Sequence, residues 1–183
     1  MLDLFASIAG GITADSKSTI QGSVIGLGII GAPQVSGGVT NNGSINAGSG
    51  IYVDSVTTFA GGVANSGVIN GGNGFAVSNI SNFSGGVINA GEITASNYGI
   101  SVLSITNFTG GISNDGSIIS TGVLRAGIGI YNISRFTGGI VNTGNVSAEV
   151  EGVGIAIGDV TCTCSQVSNF SGGISNSGTV SGG

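Results

Sequence analysis

Histidine and tryptophan are absent from the 183 residues, and only 6% of positions are charged. Without imidazole, a Ser-His-Asp or Cys-His nucleophile arrangement is excluded, as are the common zinc motifs. The three bases Lys17, Arg125 and Arg135 face eight acids and cannot form the cationic clusters that nucleic acid or an anionic membrane requires. Neither is expected as a partner. The apolar run Val24 to Ile30 falls far short of the roughly 20 residues of a membrane-spanning helix, so this segment should not insert into a bilayer. Ala, Leu, Glu and Lys are scarce and no window has a helical period, which disfavours helix throughout. Residues Met1 to Ile12 lack the basic start, apolar run and cleavage pattern of a signal peptide, which predicts a segment internal to a longer protein.

What the chain has is glycine, 38 residues of it, arranged in a repeat. The phrase Gly-Gly-(Val/Ile)-x-Asn-x-Gly-x-(Ile/Val) begins at Gly37, Gly61, Gly85, Gly110, Gly138 and Gly172, in steps of 24, 24, 25, 28 and 34 residues. A second phrase, Gly-(Ile/Phe)-x-(Val/Ile)-x-x-(Val/Ile)-x-x-Phe, lies between copies of the first at Gly50 to Phe59, Gly74 to Phe83, Gly99 to Phe108 and Gly127 to Phe136. Periods of this size signal stacked units. Short runs in which apolar residues alternate with Ser, Thr, Asn or Gly read as strands. Three short strands and three turns per unit predict an all-β parallel β-helix (β-solenoid) of about seven coils, roughly 24 residues each.

Stacking assigns each repeat position to a column. Val39, Val63, Val87, Ile112, Ile140 and Ile174 form one, and Ile45, Ile69, Ile93, Ile118, Val146 and Val180 another. Asn41, Asn65, Asn89, Asn114, Asn142 and Asn176 should form an amide ladder at a turn. Phe59, Phe83, Phe108, Phe136 and Phe170 should form an inward aromatic stack. Residues 26–183 carry the repeats; Gly26 to Val35 aligns on Gly50 to Phe59 with Ala32 and Val35 in place of Val56 and Phe59. Residues 1–25 read as a degenerate N-terminal coil or cap, with Ala14 at the ladder position. The whole has the look of a fragment of a longer array.

Few residues remain for chemistry. Asp54, Glu92 and Asp115 stand at different repeat positions on different coils, so no acid/base pair can be assembled from them. No catalytic residue, cofactor or metal ligand is expected. Arg125, Glu149, Glu151 and Asp159 fall in enlarged turns, which makes residues 119–126 and 147–164 the candidate recognition loops. Stacking should bring Arg125 against Glu149 or Glu151. Cys162 and Cys164, separated by Thr163, fit a small disulfide loop and two free thiols equally well.

Tandem Gly-Gly-Ile-x-Asn-x-Gly-x-Ile units with Gly-Ile-x-Val between them resemble the passenger regions of bacterial autotransporters, over about residues 26–183. The resemblance implies a right-handed β-helix displayed at the cell surface after export through the outer membrane, often an adhesin or its stalk. Rare, closely spaced cysteines are also typical of that family. The resulting expectation is a non-enzymatic scaffold, stalk or adhesin segment whose partners are flanking coils of its own chain and a surface glycan or protein. Two rival readings are a β-helix that binds or cleaves carbohydrate, and a fibre subunit that associates end to end.

Overall fold

The computed structural model describes residues 7–158 and 166–183, and within them every regular element is a strand. Three-residue strands at Ile12–Ala14, Val39–Asn41, Val63–Asn65, Val87–Asn89, Ile112–Asn114, Ile140–Asn142 and Ile174–Asn176 pair in parallel, in chain order, as a 7-stranded sheet. The rest of each coil joins a 12-stranded parallel sheet that wraps the other sides. Seven rungs bound six full turns. The chain is therefore a parallel β-solenoid, and pairing extends back through Ile12–Ala14 to a bridge between Ile8 and Val35.

Parity decides which side chains enter the core. In Val39–Asn41 the outer two residues are buried and Thr40 is not, as alternation along a pleated strand requires. The registers superpose like on like: Val39 on Val63, Asn41 on Asn65, Ile45 on Ile69, and so through the stack. Val35, Phe59, Phe83, Phe108 and Phe136 are all essentially fully buried in one core, with Phe170 packed against it. The segment Gly26 to Val35 takes its expected place, with Leu27 on Ile51, Ile29 on Val53 and Val35 on Phe59.

One feature of the second phrase breaks simple alternation. Val53 and Val56 are three positions apart, yet both are fully buried. A residue between them adopts positive φ and turns the chain, so that parity resets: Ser55, Asn79, Ser104 and Asn132 have φ between 51° and 54°, and Gly31 has φ 69°. Side chains that are short and polar, or absent, tolerate this left-handed conformation at least cost.

Glycine is required at the opposite corner for the same reason and elsewhere for space. From Gly61-Gly62 onward the second glycine of each pair turns with positive φ, as at Gly62 (73°) and Gly86 (74°). The glycine that opens the second phrase faces the isoleucine column of the next coil. A Cβ on Gly99 would collide with Cγ2 of Ile118, and one on Gly74 with Cγ2 of Ile93.

Candidate functional site

The asparagine column runs through the buried corner where the small sheet meets the large one. Nδ2 of Asn41 donates to Oδ1 of Asn65 at 2.8 Å, and the relay continues to Asn89 at 2.9 Å, Asn114 at 2.8 Å, Asn142 at 2.7 Å and Asn176 at 2.7 Å. Each amide also closes its own turn: Nδ2 of Asn89 donates to the Gly91 carbonyl at 3.2 Å. Asn41 through Asn142 are fully buried, and among the described residues no buried side-chain nitrogen or oxygen lacks a partner. Since an unpaired buried amide costs about 1–3 kcal/mol, each asparagine is held to its place by the neighbours that bond it.

The phenylalanines stack as expected, with ring centroids 5.2, 4.8, 4.7 and 5.1 Å apart and planes within 15° of parallel. That spacing follows the separation of paired strands, about 4.8 Å. Ladder and stack are thus structural columns, committed to neighbours above and below.

The described acids are dispersed, and Asp15, Asp54 and Asp115 hold local hydrogen bonds. Asp54 accepts hydrogen bonds from Ser78 at 2.6 Å and Asn79 at 2.8 Å on one oxygen, and from Ser55 at 2.7 Å on the other. Burial pushes its carboxyl up, but the bonds from Ser78, Ser55 and Asn79 outweigh that and hold it below the ordinary carboxylate range. Asp115 accepts from Thr143 at 2.6 Å. Among the described residues no three His, Cys, Asp or Glu side chains stand close enough to hold a metal ion.

In their described residues, 119–126 and 147–158, the enlarged turns continue the strand pairing between coils. Ser117–Val123 pairs with Asn145–Val150 through a register shift between Ser120 and Val123. The Leu124 amide then donates to Val150 at 3.0 Å, and the Val153 amide to Arg125 at 2.9 Å. Leu124 (φ 55°) and Glu151 (φ 48°) make the same left-handed bend on successive coils. A bulky leucine in that conformation, 69% exposed, is strained without any return in burial.

Arg125 turns away from the acids it was expected to meet. Its Nη1 donates to the Tyr98 hydroxyl at 3.3 Å, and its guanidinium carbon stands 5.4 Å from the centre of that ring. Tyr98 in turn meets Tyr131 edge to face at 5.8 Å. The partner is an aromatic on the preceding coil at a different repeat position, a contact invisible to repeat alignment. Glu151 still lines the same cavity as Arg125, and Glu149 is exposed. Asp159, Cys162 and Cys164 lie outside the described residues.

Two adjoining cavities flank this cluster. The first, about 330 Å³, is lined by Tyr52, Asn73, Asn97, Leu103 and others; the second, about 420 Å³, by Leu124, Tyr131, Glu151 and Val153 among others. Tyr98 and Arg125 line both. Compared with known proteins, the chain matches no family model, no curated protein and no solved structure.

Proposed function

We propose that this chain is a non-enzymatic scaffold segment, a stalk or adhesin section, of an exported β-helical protein displayed at the cell surface in the manner of autotransporter passengers. The observation that carries this reading is the uninterrupted asparagine ladder from Asn41 to Asn176. A column of buried amides whose hydrogen bonds go to one another and to their own turns specifies stacking and offers a substrate nothing. The dispersed carboxylates support the same view, since hydrolysis of a glycosidic bond needs two held at a fixed separation. Flanking coils of the same longer chain are its natural neighbours, because a parallel ladder continues wherever the repeat does.

Placed between a secretion signal and a C-terminal outer-membrane barrel, the segment should reach the cell surface as a protease-resistant rod. It should release no reducing ends from bacterial or host polysaccharides. Retention in an unfolded, protease-sensitive form would contradict the surface role. Turnover of any glycan, abolished by Glu149→Gln or Glu151→Gln, would contradict the non-enzymatic one.

A further inference from the structure

We propose that the face bearing Tyr98, Arg125 and Tyr131 is a binding groove for a neutral oligosaccharide laid along the solenoid axis. Its floor is an outward column of small side chains in continuous register, Ala76, Ser101, Gly129 and Ala156. Ala76 and Ser101 line the first cavity and Ala156 the second. Between them the Tyr131 ring lies directly over Gly129, where a Cβ would stand 2.5 Å from its Cε2. Larger residues rise on both sides of the floor. Leu103, 39% exposed, stands on one side, and Leu124, 69% exposed, belongs to the turn on the other.

The chemistry of the lining selects the ligand. Half-exposed tyrosine rings offer apolar faces to the C–H faces of sugar rings. The amides of Asn73 and Asn97, the Ser101 hydroxyl and the Arg125 guanidinium supply donors and acceptors for hydroxyl groups. An extended peptide is a poor fit. The backbone across this face is spent on coil-to-coil pairing, so a peptide strand would find no free ladder to join. An anionic glycan is also disfavoured. Among the described residues Arg125 is the one cation lining either cavity and it already engages Tyr98, Glu151 lines the second, and the chain carries a net charge of −5. Two cavities sharing a central Tyr98 suit a linear chain of sugar units, with successive coils presenting new contacts about every 4.8 Å.

The three tyrosines of the chain, Tyr52, Tyr98 and Tyr131, all line these cavities, and tryptophan is absent, so intrinsic fluorescence reports on the groove alone. The whole chain is titrated with cellohexaose, maltohexaose, xylohexaose and chitohexaose, and with hexagalacturonate as the anionic counterpart. A saturable change with at least one neutral hexaose is expected, stronger than with hexagalacturonate. Tyr98→Ala should weaken it about tenfold, the loss of one buried aromatic contact. Arg125→Ala, which leaves all three fluorophores, should weaken it by a smaller factor. Unchanged strand circular dichroism shows that each variant folds, and Ser113→Ala on the opposite sheet should bind like the parent. Absence of saturation with every neutral hexaose, preference for hexagalacturonate, or parental affinity in both Tyr98→Ala and Arg125→Ala would overturn the groove. None of these outcomes touches the scaffold reading, which rests on the ladder.

Discussion

The buried corner that holds the asparagine ladder and the outer face that holds Tyr98 are built from the same coils, yet they obey opposite rules. At the corner each coil repeats its neighbour: Asn on Asn, Val or Ile on Val or Ile, with amide bonds of 2.7–2.9 Å throughout. On the outer face around Tyr98 neighbouring coils differ, and Tyr52, Ala76, Ser101 and Gly129 succeed one another in a single column. Stacking constrains a side chain only where it must be satisfied by its own copy above and below. Where solvent satisfies it, the position is open to variation, and recognition can be built there without cost to the rod.

The comparison is broken most directly by removing an inner ring. Phe108→Ala should destabilise the chain by about 3–5 kcal/mol, since it opens a cavity between two stacked neighbours. Tyr98→Ala on the outer face should cost about 1 kcal/mol or less, as surface changes usually do. Urea midpoints of the two variants decide whether the faces differ as described. Equal losses would mean that the outer cluster is part of the core.

The ladder comes next in size. Asn89→Ala removes the acceptor of Asn65 and the donor to Asn114, both fully buried, and should cost about 1–3 kcal/mol. The outer pair Asn82 and Asn107, joined at 3.0 Å in an exposed setting, provides the contrast. Asn107→Ala should shift the urea midpoint far less than Asn89→Ala.

A smaller effect, of opposite sign, is expected where the enlarged turn stores strain. Leu124→Asn places a residue tolerant of positive φ at a bend that has φ 55°, and should stabilise by about 1 kcal/mol. A thermal midpoint at or below that of the parent would show that the leucine is held there by packing.

The smallest effect concerns pH. The Asp54 carboxyl is held below its ordinary value in the folded chain, so the folded state favours its ionised form. Its contribution is present above the unfolded-state value and is lost as pH falls through the folded-state value. Between neutral pH and the acid range, the parent should therefore lose slightly more stability than Asp54→Asn. Parallel pH profiles for the two proteins would exclude the three-donor cradle as a stabilising feature.

Much of this architecture is legible in the residues because stacking makes like positions coincide. Asn89 and Asn114, or Phe83 and Phe108, can be paired by counting alone. The small inward column Ala47, Gly71, Ala95, Ser120 and Ala148 is harder to see, since several small residues fit it equally. The left-handed corner at Ser55, Asn79, Ser104 and Asn132 does leave a trace. Three positions instead of two separate the inward Val53 and Val56, a parity slip that demands a bend. The Tyr98, Arg125 and Tyr131 cluster leaves none. Its contacts join different positions of the repeat, which counting cannot pair.

Hydrogen exchange of the side-chain amides is the most direct test of the ladder as the organising element. By NMR, the Nδ2 protons of Asn65, Asn89 and Asn114 should exchange far more slowly than those of Asn82 and Asn107, because the first set opens only when coils separate. Equal exchange rates for the two sets would contradict a buried, coil-to-coil amide ladder.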